Sequence, residues 1–265
     1  MLACLWVVWL LPASLWGAEE WRLGAAPGER LRYRVHWMGI TAGDASMQLE
    51  SGPGRGYLLQ SGLSSVGAAR VIRALDEWFK VEGEHRESAF IPRQYVKDQR
   101  RDNRVKWTSY QFDREMRQVV RLRRGEEGRP DEILPIPFSA EPLADPLSLL
   151  YAVRARQELL PGQTLERLVV DGERIYCLTI TVGGGRQLHT SLGEFRVFSL
   201  QVAVENSELF RQRGPIQLWL TDDARRIPIQ VEAQLAFGAV VAELVAFEDG
   251  RGESRKVQSP AQSTE

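Results

Sequence analysis

The stretch Leu31-Arg-Tyr-Arg-Val-His-Trp-Met38 decides the fold class, because apolar and polar side chains alternate along it. Successive side chains of a β-strand point to opposite faces, so this pattern is typical of a strand with one buried and one wet face. Gly39 and Gly43 bracket a turn, and residues 45–50 can return as a second arm. An antiparallel β-hairpin is therefore predicted near the start of the chain.

The rest of the chain repeats this pattern between short turns. Further strands are predicted at residues 57–64, 76–85, 164–170, 174–182, 186–190, 194–204, 216–221, 229–235 and 240–247, with a meander over 94–124. Helical spacing occurs only at 66–75 and at 145–158, where Asp145 is a helix cap and Pro146 the first helical residue. Short strands in this number favour sequential antiparallel pairing, so we predict a mainly β fold. Its expected form is an antiparallel curled sheet or a barrel or half-barrel, with one or two short helices.

One β-rich domain is expected over residues 19–250. Residues 125–146 are rich in proline and glutamate and are predicted to hold no strand ladder, because proline supplies no N–H. This segment is also a candidate sub-boundary, at 125–145. The polar residues 251–265 are predicted to be a disordered tail.

The first residues have the composition of an export signal. Residues 2–18 carry no charged side chain, are interrupted by Pro12 and end on Gly17-Ala18. The run is shorter than the about 20 apolar residues that a membrane span needs, so residues 1–18 are predicted to be a signal peptide that is cleaved to release the protein into the periplasm. An uncleaved anchor is the alternative. Cleavage would also remove Cys4 and leave Cys177 as the single cysteine, which excludes an intrachain disulfide.

Four segments in order resemble a known family, the bacterial envelope proteins of domain of unknown function 3108. They are Leu31-Arg-Tyr-Arg-Val-His-Trp-Met-Gly-Ile-Thr-Ala-Gly43, Tyr110-Gln-Phe-Asp113, Asp145-Pro-Leu-Ser-Leu-Leu-Tyr-Ala-Val-Arg154 and Leu218-Trp-Leu-Thr-Asp-Asp-Ala-Arg-Arg-Ile-Pro228. The resemblance implies export, a β-rich fold and no established activity. It supplies no catalytic or binding residue.

Enzyme motifs are absent from the sequence. It contains no nucleophile elbow, zinc-protease motif, paired-cysteine motif or phosphate-binding loop. The three histidines are widely separated, and Asp222-Asp223 fits a turn between two strands. We therefore expect a protein that is not an enzyme, with no catalytic residue, no metal site and no cofactor.

Basic residues concentrate in one segment, although the whole chain has a net charge of −1. Residues 93–124 contain eleven basic and four acidic side chains. For an exported protein, the matching anion would be a lipid headgroup or an acidic glycan rather than nucleic acid. The predicted anion contacts are Arg100, Arg101, Arg121 and Arg123. The alternative is that these are the solvated faces of a hairpin.

Four tryptophans fall in predicted strands, namely Trp37, Trp78, Trp107 and Trp219. A curved sheet can gather such side chains on its concave side, so we predict that they line an apolar cavity, the alternative being an ordinary core. The expected function is that of a periplasmic carrier or chaperone for an apolar or lipid-like ligand. The alternative is a structural or interaction protein that docks on an envelope component through a basic face or a sheet edge.

Overall fold

The computed structural model describes residues 24–86, 89–125, 129–204, 215–235 and 238–257, so the predicted signal peptide lies outside the described residues. The first eight strands are β1 (Glu29–Trp37), β2 (Ile40–Ser51), β3 (Gly56–Ser65), β4 (Leu75–Arg86), β5 (Ala89–Arg101), β6 (Arg104–Asp113), β7 (Gln118–Arg123) and β8 (Glu132–Pro137). The next eight are β9 (Leu143–Ala144), β10 (Thr164–Asp171), β11 (Arg174–Thr190), β12 (Gly193–Val204), β13 (Ile216–Thr221), β14 (Pro228–Leu235), β15 (Gly238–Asp249) and β16 (Ser254–Lys256). Helix α1 (Gly67–Ile72) follows β3, and α2 (Pro146–Arg154) follows β9.

All sixteen strands of the described chain belong to one sheet. Neighbours in sequence are neighbours in the sheet from β1 to β8 and from β15 back to β9, and β1 pairs with β15 in the middle. The pairs are antiparallel except β9 with β10. The prediction of a mainly β fold with an antiparallel curled sheet is confirmed.

The β1–β2 turn shows how the sequence fixes the first hairpin. Met38 and Gly39 both have positive φ values, 49° and 81°. A two-residue turn of this handedness matches the twist of the flanking strands, and glycine adopts it without steric cost.

Distant parts of the sheet approach each other across its interior. The β10–β11 turn reaches β5, β6 and β7: Lys97 Nζ lies 2.6 Å from Asp171, and Tyr110 donates a hydrogen bond of 3.1 Å to the Gly172 carbonyl. We call the side facing this interior the inner face. On β3 to β6 a register row of Leu59, Val81, Tyr95 and Tyr110 lies on it and packs in one core cluster with Tyr151 of α2.

Helix α2 occupies the interior because its start and its end are both tied down. Asp145 accepts hydrogen bonds from the backbone N–H groups of Leu147 and Ser148, at 2.9 and 3.0 Å, and Pro146 follows it. The predicted cap is therefore confirmed. At the other end Arg154, 0% exposed, forms a two-pronged ion pair with the 1% exposed Glu29 of β1. No local sequence pattern indicates this buried pair.

Three local predictions are corrected by the structure. Residues 132–137 form β8 despite Pro135 and Pro137, because β8 is an edge strand on which a missing N–H is tolerated. Helix α1 is short and has no buried residue, so it has no packed face to extend it. Residues 254–256 of the predicted tail pair with β15 as β16.

Candidate functional site

An apolar groove runs beside α2. It has a volume of about 740 Å³ and lies between the helix, the start of β5, β9 and β10. Its larger apolar lining residues are Phe90, Ile91, Leu143, Leu149, Val153 and Leu168. Phe90 is held by ring contacts to Tyr57 and Tyr151, with centroids 5.0 and 5.6 Å away. The floor is thus part of the packed core and is preformed.

Four arginines surround this floor: Arg86, Arg114, Arg156 and Arg167. Two of them are neutralised locally, since Arg86 pairs with Glu84 and Arg114 with Glu141. Arg156 and Arg167 have no ion pair with a carboxylate in the described part of the chain, and Nε of Arg156 is buried without a hydrogen-bond partner there. The rim therefore carries two half-buried positive charges that no carboxylate of the described residues compensates.

A third arginine adds to this excess of positive charge. Arg226 is held against the end of α2 by hydrogen bonds to backbone carbonyls, of 2.8 Å to Arg154 and 3.2 Å to Gln157. Burial and the nearby Arg156 guanidinium lower the pKa of Arg226, and the same two causes lower the pKa of Arg167. The Arg156 guanidinium thus repels those of Arg167 and Arg226, and an anion bound beside Arg156 would offset this repulsion.

The groove-lining residues include no serine, cysteine or histidine, and its one carboxylate, Glu141, is paired with Arg114. Among the described residues, no three His, Cys, Asp or Glu side chains come together in a way that could hold a metal ion. None of the helices in the described ranges has the length and apolar character to span a membrane. The groove therefore offers an apolar surface beside cationic side chains.

A family model for a protein of unknown function, DUF3108, matches residues 32–245. The chain belongs to the DUF3108 family. The resemblance seen in the sequence is confirmed. No curated protein matches the chain.

Solved structures are similar to this DUF3108 protein at low sequence identity. A beta-barrel-like protein of domain of unknown function DUF1849 from Brucella abortus is 13% identical, with a TM-score of 0.58 over 86% of this chain and 99% of that one. A protein from Bacteroides fragilis, assigned as exported and with a YmcC-like fold, is 8% identical, with a TM-score of 0.32 over 86% and 99% of the two chains. Likeness to the first shows the barrel-like fold.

The four predicted cavity tryptophans of the DUF3108 chain lie apart. Trp78 and Trp107 both align with Asp98 and therefore lie on the outer face, opposite Tyr95 and Tyr110. Trp37, half-buried, ends β1. Trp219 is buried in a core cluster beneath the Arg186 guanidinium, which lies 3.6 Å from its ring centroid. The structure does not bring them together in one cavity.

The predicted anion contacts divide between the two faces. Arg100 lies on the outer face in the same register row as Asp76, whereas Arg101, Arg121 and Arg123 lie on the inner face. We define the inner basic cluster as Lys97, Lys106, Arg121 and Arg123, which share the inner face of β5 to β7.

Carboxylates from other strands neutralise most of this charge. Arg121, 2% exposed, pairs with Glu132 of β8 at 2.6 Å and with Glu173 at 3.2 Å. Arg101 pairs with the buried Glu77. The structure thus gives Arg101 and Arg121 carboxylate partners within the protein.

Sequence reasoning missed the groove arginines. Arg156 follows α2, and Arg167 lies on β10. Neither segment has an unusual density of basic residues. They are distinguished by the lack of a carboxylate partner among the described residues, which depends on the folded structure and on no local sequence pattern.

Proposed function

We propose that this protein is an exported binding protein for a lipid-like molecule with an anionic headgroup, held in the groove beside α2. The observation that carries the proposal is the combination of a preformed apolar floor with Arg156 and Arg167, whose charges have no carboxylate partner in the described residues. A half-buried charge loses part of its hydration, so two arginines without a carboxylate partner beside an apolar surface fit a ligand that supplies the anion.

The size of the groove supports the same class of ligand. A volume of about 740 Å³ falls within the range of small-molecule sites, roughly 300–1,000 Å³. The mixture of an apolar lining with few polar groups is also typical of such sites. With no candidate nucleophile or free acid among the lining residues, we propose binding rather than catalysis.

The proposed location rests on the sequence. An uncharged apolar leader that ends on Gly17-Ala18 is typical of export to the periplasm, where a lipid-binding protein can shield an acyl chain from water.

The alternative of docking through a sheet edge or a basic face has weaker support. The edge strand β8 carries Pro135 and Pro137, which interrupt the N–H groups that an added strand would need. The inner basic cluster is largely neutralised by Asp171, Glu173 and Glu132. Neither feature offers the open edge or free charge that docking requires.

Calorimetric titration of the purified protein with palmitate, and with hexadecanol as an uncharged ligand of equal chain length, tests the proposal. We expect Arg156→Gln or Arg167→Gln to weaken palmitate binding about tenfold or more, because a charged hydrogen bond contributes about 1.5–3 kcal/mol. Hexadecanol binding should change little. Arg196→Gln, which removes an exposed arginine on β12, is the matched control and should leave palmitate binding unchanged.

Two results would overturn the proposal. The first is that palmitate does not bind. The second is that Arg196→Gln weakens palmitate binding as much as Arg156→Gln does. A floor variant, Leu168→Asn, separates the two parts of the site, because it should weaken palmitate and hexadecanol together.

A further inference from the structure

The outer face of the sheet carries a second depression, a shallow trough across β1 to β4 with a volume of about 760 Å³. One register row crosses it, in the order Arg32, Ser46, Gly62 and Trp78. Adjacent strands are about 4.8 Å apart, so the row extends about 14 Å from β1 to β4. Between a cation at one end and an indole at the other, the residues are small.

Trp78 is an exposed aromatic platform. Its side chain lies over Gly62, where an added Cβ would come within 2.9 Å of the indole ring. The residue is nonetheless 59% exposed, so the indole rests on the sheet and still presents ring surface to solvent. Glycine at 62 is what lets the ring approach the strands so closely.

The charges of the trough do not cancel. Its two carboxylates are paired, Asp44 with Arg34 at 3.0 Å and Asp76 with Arg70 at 2.9 Å. Arg32 and Lys256 also line the trough, and neither forms an ion pair within the residues that the structure describes. The uncompensated charge is therefore positive and lies away from Trp78, across the small residues.

We propose that this trough binds an acidic oligosaccharide. The apolar C–H face of one sugar ring would stack on Trp78, while a carboxylate further along the chain would pair with Arg32 or Lys256. The serine hydroxyls and paired carboxylates between them suit sugar hydroxyl groups, which both donate and accept hydrogen bonds. The ligand and the face of the sheet both differ from those of the groove beside α2.

An acidic glycan fits better than a single-stranded nucleic acid, which also stacks on aromatic side chains. A nucleic acid carries a phosphate at every unit and needs a continuous basic track, whereas Asp44 and Asp76 interrupt this trough.

The test is isothermal titration of the purified protein with hexagalacturonate, and with maltohexaose as a neutral hexasaccharide. We expect hexagalacturonate to bind, and Trp78→Ala to weaken that binding at least tenfold. Arg32→Gln should weaken it several-fold and reduce its dependence on salt, because screening acts on the charge pair. Trp107→Ala is the matched control, since Trp107 shares the outer face but has the Arg124 guanidinium 4.4 Å above its ring.

The proposal fails if hexagalacturonate does not bind, or if Trp107→Ala weakens hexagalacturonate binding as much as Trp78→Ala does. It also fails if maltohexaose binds equally well, or if single-stranded DNA of the same charge binds more tightly. An unchanged melting temperature in Trp78→Ala ensures that a loss of binding is local. Palmitate binding should not change in this variant, which keeps the trough and the groove distinguishable.

Discussion

The inner basic cluster and the groove beside α2 each have four basic side chains, but they differ in where the matching carboxylates lie. Around the cluster, the β10–β11 turn and β8 bring Asp171, Glu173 and Glu132 against Lys97 and Arg121. In the groove, Arg156 instead lies near two other positive charges, those of Arg167 and Arg226. The density of basic residues in the sequence was highest where the folded protein neutralises them.

The difference separates arginines that hold the fold together from arginines that are available to a ligand. Lys97 and Arg121 connect strands far apart in the sheet, and Arg154 connects α2 to β1. Lys106 is an intermediate case, since partial burial and the cations Arg123 and Lys97 lower its pKa. Neighbouring charges, rather than the count of arginines, indicate which role a side chain has.

The largest expected effect is at Arg154, the extreme case of a structural arginine. Arg154→Ala should lower the free energy of unfolding by about 3–5 kcal/mol, because it leaves the buried Glu29 carboxylate without its partner. Urea denaturation measures this. The double variant Glu29→Met with Arg154→Met should recover much of the loss, since apolar replacement of a buried pair is often neutral. A loss below about 1 kcal/mol in the single variant would contradict the assignment.

A smaller effect is expected at Arg121, whose carboxylate partners are more exposed. Arg121→Gln should cost about 1–3 kcal/mol, because it removes a buried charged donor while Glu132 and Glu173 can still turn to water. Palmitate affinity should stay within twofold of that of the native protein. If palmitate binding fell tenfold with stability unchanged, the inner basic cluster would be the ligand site and the comparison would be reversed.

The smallest effect is expected at Arg156, where no carboxylate partner is lost. Arg156→Gln should change stability by no more than about 0.5 kcal/mol, because relief of repulsion with Arg167 and Arg226 offsets lost packing. Raising the salt concentration should stabilise the native protein more than this variant, since salt screens like charges. Parallel melting curves at low and high salt measure the difference. A loss of several kcal/mol would show that Arg156 is structural.

The sequence predicted the elements of the fold well because local patterns specify them. Alternation placed β1 and its hairpin, and the Asp145-Pro146 pair placed the start of α2. The same alternation grouped Trp78 with Lys80, opposite Phe79 and Val81, which already assigned Trp78 to the wet face. The prediction of a shared tryptophan cavity relied on residue type and did not use this alternation.

The groove could not be predicted, because its parts come from β5, α2 and β10 and meet only in the folded sheet. The position of β8 at the edge of the sheet could not be predicted for the same reason. Whether proline interrupts a strand depends on which side of that strand has a neighbour, and this is a property of the sheet order.

The pairing of β1 with β15 has a kinetic consequence. Glu29 lies opposite Asp249 in register, so the middle of the sheet joins the first and last long strands of the described chain. Contacts this distant along the chain form slowly, and during synthesis β1 gains its second neighbour only after β15 has been made. The middle of the sheet therefore closes late, which suits a polypeptide that is threaded through a membrane before it folds.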